Sequence, residues 1–239
     1  MKNKKAIIIG ASSGIGREVA VQLSNKGYEL GLTARRTMLL KELQSELPGK
    51  SHVATMDISN PLQSRMILSQ LIEKMGYVDV IIINAGIGIR NPSWMNEIEI
   101  VQTNVQGFIA LANLAFEHFK MQKGGTLAAV SSIAGIRGSR IATAYSASKA
   151  FMSNYMEGLR FRSRHEKLNI TVIDIIPGFV ETSMTKGLGY KFWVSKPRNA
   201  ARQIIKSLKN HQSKAYVTRK WIIVAYLMKY APDWIHSLI

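Results

Sequence analysis

The chain has no cysteine. Disulfides, thiolate metal sites and a cysteine nucleophile are therefore excluded, which suits a reducing cytoplasm. The histidines at 52, 118, 165, 211 and 236 are scattered, with no pair at i, i+4. No metal site is expected from that spacing. Long apolar runs are also missing. The longest, "WIIVAYLM" from Trp221 to Met228, falls well short of the ~18 residues that span a bilayer. The amino-terminal "MKNKKAIIIGASSG" pairs a basic start with an apolar run. That run is too short for a secretion signal and reads as a buried strand. Acidic residues are scarce, 15 against 32 Lys and Arg, giving a net charge of +17. From Arg137 onward there are 18 basic and 5 acidic residues. An excess of this kind suits anionic partners, whether nucleotide phosphates, an acidic carrier protein, a membrane surface or nucleic acid. A solvated basic surface would account for it equally well.

No linker, repeat or low-complexity tract interrupts the 239 residues, so residues 1–239 read as one domain. Short β-like runs alternate with longer helical ones. "KAIIIG", "YELGLTA", "SHVATMD", "VDVIIINAG", "GTLAAVSS" and "NITVIDIIPG" read as strands, and "KAYVTR" as a last short one. Helices are expected between them, including a long one over about 97–120 and another over about 143–165. Strands such as "VDVIIIN" are apolar on both faces, as in a parallel sheet covered on both sides. The fold class is α/β, a doubly wound parallel sheet of the Rossmann type. Ligands then belong at the carboxyl ends of the strands.

"GASSGIG" places Gly10, Gly14 and Gly16 between the first strand and the first helix. Glycines allow close approach of a ligand, and a helix amino terminus attracts a pyrophosphate. The spacing is G-x3-G-x-G, which also serves ordinary turns. Dinucleotide sites commonly carry an acid at the end of the second strand, to bind a ribose hydroxyl. Here that stretch is "LTARR", with Ala34 at the acid's place and Arg35-Arg36 after it. A guanidinium suits a 2′-phosphate, so NADP is favoured over NAD. Arg17 would add to the positive field, unless it and Arg36 simply face water.

Two stretches set a tyrosine four residues before a lysine, "YSASK" at Tyr145 and Lys149 and "YVTRK" at Tyr216 and Lys220. Residues four apart meet on a helix but not on a strand. Only the first lies in a helical stretch, and only it has a serine, Ser132, thirteen residues upstream. Together with "NAG" (Asn84, Ala85, Gly86), Asn104 and "PGFVET", the ordered set from Gly10 to Thr182 resembles the short-chain dehydrogenase/reductase family. One departure is Ile9, where that family usually has threonine; it would loosen a turn contact.

The resemblance implies roles. Tyr145 would be the general acid toward a carbonyl oxygen, its pKa lowered by Lys149 together with the oxidised nicotinamide, and Lys149 would also bind the nicotinamide ribose. Ser132 would orient the carbonyl, and Asn104 would hold a water linking Lys149 to solvent. Gly10, Ser12, Ser13, Gly14, Ile15 and Gly16 would line the pyrophosphate and adenosine ribose, with Arg35 on the 2′-phosphate. Asp57 and Ile58 would meet the adenine. Asn84, Ala85 and Gly86 would flank the ribose and adenine, although Asn84 would equally serve to tie strands together. Pro177, Gly178, Val180 and Thr182 would seat the nicotinamide. A homodimer or homotetramer is implied, packed through the helices bearing Asn104 and Tyr145.

Substrate choice would lie in a short loop at about 183–196, where Phe179, Met184, Phe192 and Trp193 are candidate walls beside Lys186 and Lys191. The segment at about 219–239 is apolar nearly all round, so it must be buried. Packing within the protomer, an oligomer interface or peripheral docking on an anionic membrane would each meet that need. The function expected is NADPH-dependent reduction of a ketone or aldehyde. A 3-oxoacyl carrier-protein reductase is one form of it. A non-catalytic NADP-binding sensor or scaffold is the reading from another class. A nucleic-acid binder ranks last, since only the charge suggests it.

Overall fold

Seven parallel strands form the sheet, in the order β3-β2-β1-β4-β5-β6-β7. They are β1 (Lys5–Ile9), β2 (Glu29–Ala34), β3 (Ser51–Thr55), β4 (Val80–Ile83), β5 (Gly125–Val130), β6 (Ile170–Pro177) and β7 (Lys214–Val217). The structure is a computed structural model that describes residues 4–185 and 192–236. Alternate side chains of the strands feed two separate cores. Ala6, Ile8, Leu30, Leu32, Val80 and Ile82 pack on one side, under α1 (Gly14–Ser24), α2 (Thr37–Glu46) and α7 (Pro197–Lys209). Ile7, Ile9, Ile81 and Ile83 pack on the other, under α3 (Pro61–Met75), α5 (Phe108–Gln122) and α6 (Thr143–His165). This two-sided burial is why the strands are apolar without alternation.

Chain direction across the sheet reverses between β1 and β4, which are paired from Ala6↔Val80 to Ile9↔Ile83. Ile9 is also in register with Thr33, and Ile83 with Ala129. The carboxyl ends of β1, β2, β4 and β5 therefore open onto one edge, at the switch point where such folds bind ligands.

The expected helix over 97–120 is longer and not uniform. It comprises α4 (Trp94–Val101), a π-helical stretch Gln102–Gly107 and α5. The wide turn falls on Asn104, which is buried. A π-turn inside a helix often marks a functional site.

The carboxyl-terminal segment departs from expectation. In α8 (Trp221–Tyr230) only Trp221 and Ala225 are buried. Ile222, Ile223, Tyr226, Leu227 and Tyr230 are exposed. The helix follows β7, the edge strand, so a partner surface exists on one side only. That side is a small cluster with Ile133, Ile136, Phe179 and Tyr216. Packing within the protomer thus covers half of the segment and leaves an apolar face outside.

Candidate active site

The glycine turn is built by contacts that exclude a side chain. Gly10 has φ +91°, and a Cβ there would lie 2.7 Å from the Ala85 nitrogen. A Cβ on Gly16 would meet the Gly10 oxygen at 2.2 Å and Asn84 Nδ2 at 2.6 Å. Asn84 Nδ2 donates to the Gly10 oxygen at 2.8 Å, so Asn84 does tie β4 to the turn. The contact expected to loosen at Ile9 is made by backbone instead. The Asn84 and Ala85 N–H groups both donate to the Ile9 oxygen at 2.9 Å.

Ser13 caps α1 by position but gives its first turn no side-chain bond. Its hydroxyl and that of Ser12 accept from Arg36, at 2.7 and 3.0 Å. The helix amino terminus therefore keeps N–H groups facing the cleft, the arrangement that receives a phosphate. Arg35 also lines the cleft and makes no hydrogen bond or ion pair with a described residue. Arg17 is different. Its guanidinium bonds Glu46 at 2.6 Å, so the expected addition to the positive field is offset by a carboxylate.

One cleft of about 300 Å³ joins this turn to the second half of the motif set. Its lining includes Gly10, Ser12, Ser13, Gly14, Ile15, Arg35, Asp57, Ile58, Asn84, Ala85 and Gly86. Ser132, Tyr145, Lys149, Pro177, Gly178, Val180 and Thr182 also line it. Gly16 and Asn104 stand behind this wall. Asp57 is held by a local turn, its Oδ1 accepting from the Ser59 N–H and hydroxyl at 3.0 and 2.8 Å. Thr182 faces the glycine turn, since a Cβ on Gly14 would lie 3.0 Å from its Cγ2.

Ser132, Tyr145 and Lys149 converge because β5 and α6 approach closely at a glycine. Ser132 starts a 3₁₀ turn (Ile133–Gly135) after β5. A Cβ on Gly135 would lie 2.7 Å from the Ala150 nitrogen, so only glycine admits that contact. Lys149 Nζ donates to the Val130 oxygen at 3.0 Å and sits 5.8 Å from the Tyr145 ring centre. Burial pushes the Lys149 amine down to about 8, with nearby Asp174 opposing. Burial pushes the Tyr145 hydroxyl up, and its hydrogen bond with Ser132 opposes. In the folded protein desolvation sets the direction, and Ser132 rather than Lys149 is the group that opposes it.

Asn104 ties the loop at Ile87 to α6. Its Oδ1 accepts from the Ile87 N–H at 2.9 Å, and its Nδ2 donates to the Ile87 oxygen at 2.7 Å and to Ser148 at 3.0 Å. Both amide hydrogens are thus engaged within the protein. A water held by this side chain would have to use the remaining lone pair of Oδ1.

Several residues escaped the sequence reading. Gly88 lies against the catalytic candidate, since a Cβ there would be 3.0 Å from the Tyr145 ring. Ser148 links Asn104 to the Tyr145 carbonyl, donating to it at 2.7 Å. Its place within "YSASK", one turn from Tyr145, was an available signal. Ser131 donates to the fully buried Asp174 at 2.5 Å. Nothing in the pattern of β6 marks that acid. Tyr216, the rival tyrosine, lies in β7 and packs beside Trp221. In the substrate loop, Met184 lines the cleft. Phe179 and Phe192 pack edge-to-face at 6.2 Å and both contact Trp221. Lys186 and Lys191 lie outside the described residues.

A family model described as short chain dehydrogenase matches residues 4–193. The chain belongs to the short-chain dehydrogenase family. Among its relatives, an uncharacterized oxidoreductase of Listeria monocytogenes is 34% identical over 191 residues, covering 77% of each chain. Another, from Mycobacterium tuberculosis, is 33% identical over 193 residues, covering 76% of this chain and 75% of the relative. A solved short-chain dehydrogenase/reductase from Burkholderia phymatum, in complex with NAD, superposes with a TM-score of 0.84 at 18% identity. It covers 94% of this chain and 92% of its own, and shows the shared fold. A 3-ketoacyl-ACP reductase from Sinorhizobium meliloti superposes with a TM-score of 0.79 at 25% identity, covering 89% of this chain and 96% of its own. As a member of the short-chain dehydrogenase family, the protein is an oxidoreductase.

Proposed function

We propose that the protein reduces a ketone or aldehyde to an alcohol with a nicotinamide cofactor, and that it prefers NADPH to NADH. The observation that carries the reading is the single cleft joining an open helix amino terminus to Ser132, Tyr145 and Lys149. The cradle fits a dinucleotide. Gly10, Gly14 and Gly86 keep its floor free of side chains, and the uncapped α1 terminus suits a pyrophosphate. A Cβ on Gly86 would crowd Lys149 Nζ at 3.3 Å, where a ribose hydroxyl would take a bond. Arg35 supports the NADP preference: it is an unengaged guanidinium at the cleft rim, and Ala34 stands where an acid would repel a phosphate.

When bound in this cradle, a reduced nicotinamide would supply the hydride for the carbonyl carbon. Ser132 donates a hydrogen bond to the carbonyl oxygen and orients it. Tyr145 Oη gives that oxygen its proton. Burial supports this direction, because a raised pKa keeps Tyr145 protonated at neutral pH. Lys149 remains largely charged below its value of about 8 and stabilises the tyrosinate that forms. Asn104 fixes the Ile87 turn beside Tyr145 rather than touching the substrate.

The substrate class extends to 3-oxoacyl groups on an acidic carrier, as in the Sinorhizobium meliloti relative of the fold. The basic carboxyl-terminal half supports that alternative. A homodimer or homotetramer through the helices bearing Asn104 and Tyr145 rests on family membership, and a cytoplasmic site suits the cysteine-free chain. The test is a titration with NADPH and NADH, following nicotinamide fluorescence, beside Arg35→Ala. A carbonyl screen with Tyr145→Phe as control follows. Binding of neither nucleotide would overturn the proposal. Equal binding of both would remove the phosphate preference alone.

A further inference from the structure

The outer face of α8 carries Ile222, Ile223, Tyr226, Leu227 and Tyr230, at positions that form one continuous stripe on a helix. Tyr226 and Leu227 are each 66% exposed. Both ends of the helix are fastened to the protomer. At one end Trp221 is 2% exposed and packs on Gly178, whose Cβ would lie only 1.9 Å from its ring. At the other, Arg137 donates to the Ala231 oxygen at 3.0 Å.

Beside the amino end of α8 lies a second cleft of about 560 Å³. Lys196, Arg202 and Lys220 line it, with Trp193 and no carboxylate. Lys220 Nζ sits 5.6 Å from the Trp193 ring. Among the described residues, none of Lys196, Arg202, Arg219, Lys220 and Lys229 pairs with a carboxylate.

We infer that α8 and this basic cleft form a docking face for an anionic lipid bilayer surface. The apolar stripe enters the headgroup boundary, and the unpaired cations meet the lipid phosphates. Aromatic and aliphatic side chains beside lysine and arginine are the composition that favours this boundary. Each cation near an anionic surface strengthens binding about fivefold. The helix lies on the surface: among the described residues no helix is long and apolar enough to cross a membrane. Charge argues against a second copy as occupant. A two-fold interface would set this patch against itself and oppose like charges.

The test is flotation of the full-length protein with vesicles of phosphatidylcholine alone and of equimolar phosphatidylcholine and phosphatidylglycerol. The protein should float with the anionic vesicles only, and high salt should weaken the binding. Ile223→Ser/Tyr226→Ser/Leu227→Ser should lower the bound fraction at least about tenfold. Lys196→Glu/Arg202→Glu should lower it more than about tenfold, by the charge effect alone. Both variants replace exposed side chains, and unchanged nucleotide binding and circular dichroism would confirm their fold. Wild-type protein that stays with neither vesicle would overturn the inference. So would equal binding to both vesicles, or undiminished binding by either variant. An oligomer in light scattering that the serine variant dissociates, without vesicle binding by the wild type, would assign the face to a second copy. None of these outcomes bears on the reductase reading.

Discussion

Lys149 is 4% exposed, and burial lowers its amine from 10.5 to about 8. Between those two values the folded chain has released a proton that the unfolded chain still holds. Unfolding therefore takes up protons in that window, and stability rises with pH across it. Below about 8 the fold bears the full cost of a buried ammonium; above 10.5 it bears none. At about 1.4 kcal/mol per pH unit, the gap amounts to ~3 kcal/mol. Lys149→Met keeps the length and apolar stem of the side chain and removes the titrating group. Urea unfolding of both proteins from neutral pH to pH 10.5 isolates the effect, because other groups titrate in common. Relative to the variant, the wild type should gain ~3 kcal/mol as pH rises through the window. Parallel profiles would show that the amine titrates at its ordinary value and is solvated, refuting the burial on which the reasoning stands. The same variant should lose reductase activity, since a charge held at a cost in a cleft is a mark of function.

Tyr145→Phe should lower turnover about 10²–10⁴-fold while leaving nucleotide affinity within a few-fold, measured by initial rates and fluorescence titration. Arg35→Ala should weaken NADPH binding about 10- to 100-fold and leave NADH binding unchanged, the loss of a charge-assisted bond to phosphate. Asn104→Ala strips the Ile87 N–H and carbonyl of their partners, and should cost about 1–3 kcal/mol in urea unfolding. Gly178→Val places a side chain where the Trp221 ring stands, and should lower thermal stability and displace α8, seen as altered tryptophan fluorescence.

Much of this was legible in the chain because function and backbone geometry coincide there. Gly10, Gly14 and Gly16 mark a turn that no side chain could enter, and the strand ends set by apolar runs deliver Asn84, Ser132 and Pro177 to one edge. What escaped depended on long-range approach. Gly88 and Gly135 read as ordinary loop glycines until the ring of Tyr145 and the backbone of Ala150 are seen against them. Asp174 is hidden in an apolar strand and acquires meaning only through Ser131, thrown beside it by the β5–β6 register. The Glu46 partner of Arg17 comes from the next helix, 29 positions away. The apolar character of α8 is plain in the sequence, but composition alone does not say which of its faces is buried. Which faces find partners depends on its position at the sheet edge.

The two tyrosine–lysine pairs show what spacing alone leaves open. Tyr145 and Lys149 lie on α6, where one helical turn brings them together beneath Ser132. Tyr216 lies in β7, while Lys220 immediately precedes α8 and reaches toward Trp193. Burial raises both tyrosines, so the direction of the shift does not separate them. The causes do. For Tyr145 a serine hydroxyl opposes the rise, favouring the phenolate that would form as the proton leaves. For Tyr216 the nearby charge of Asp174 adds to it, disfavouring that phenolate. A tyrosine that must release and regain a proton in each turnover needs the first environment. Of the two, Tyr145 has it, and Tyr145 also lines the cleft.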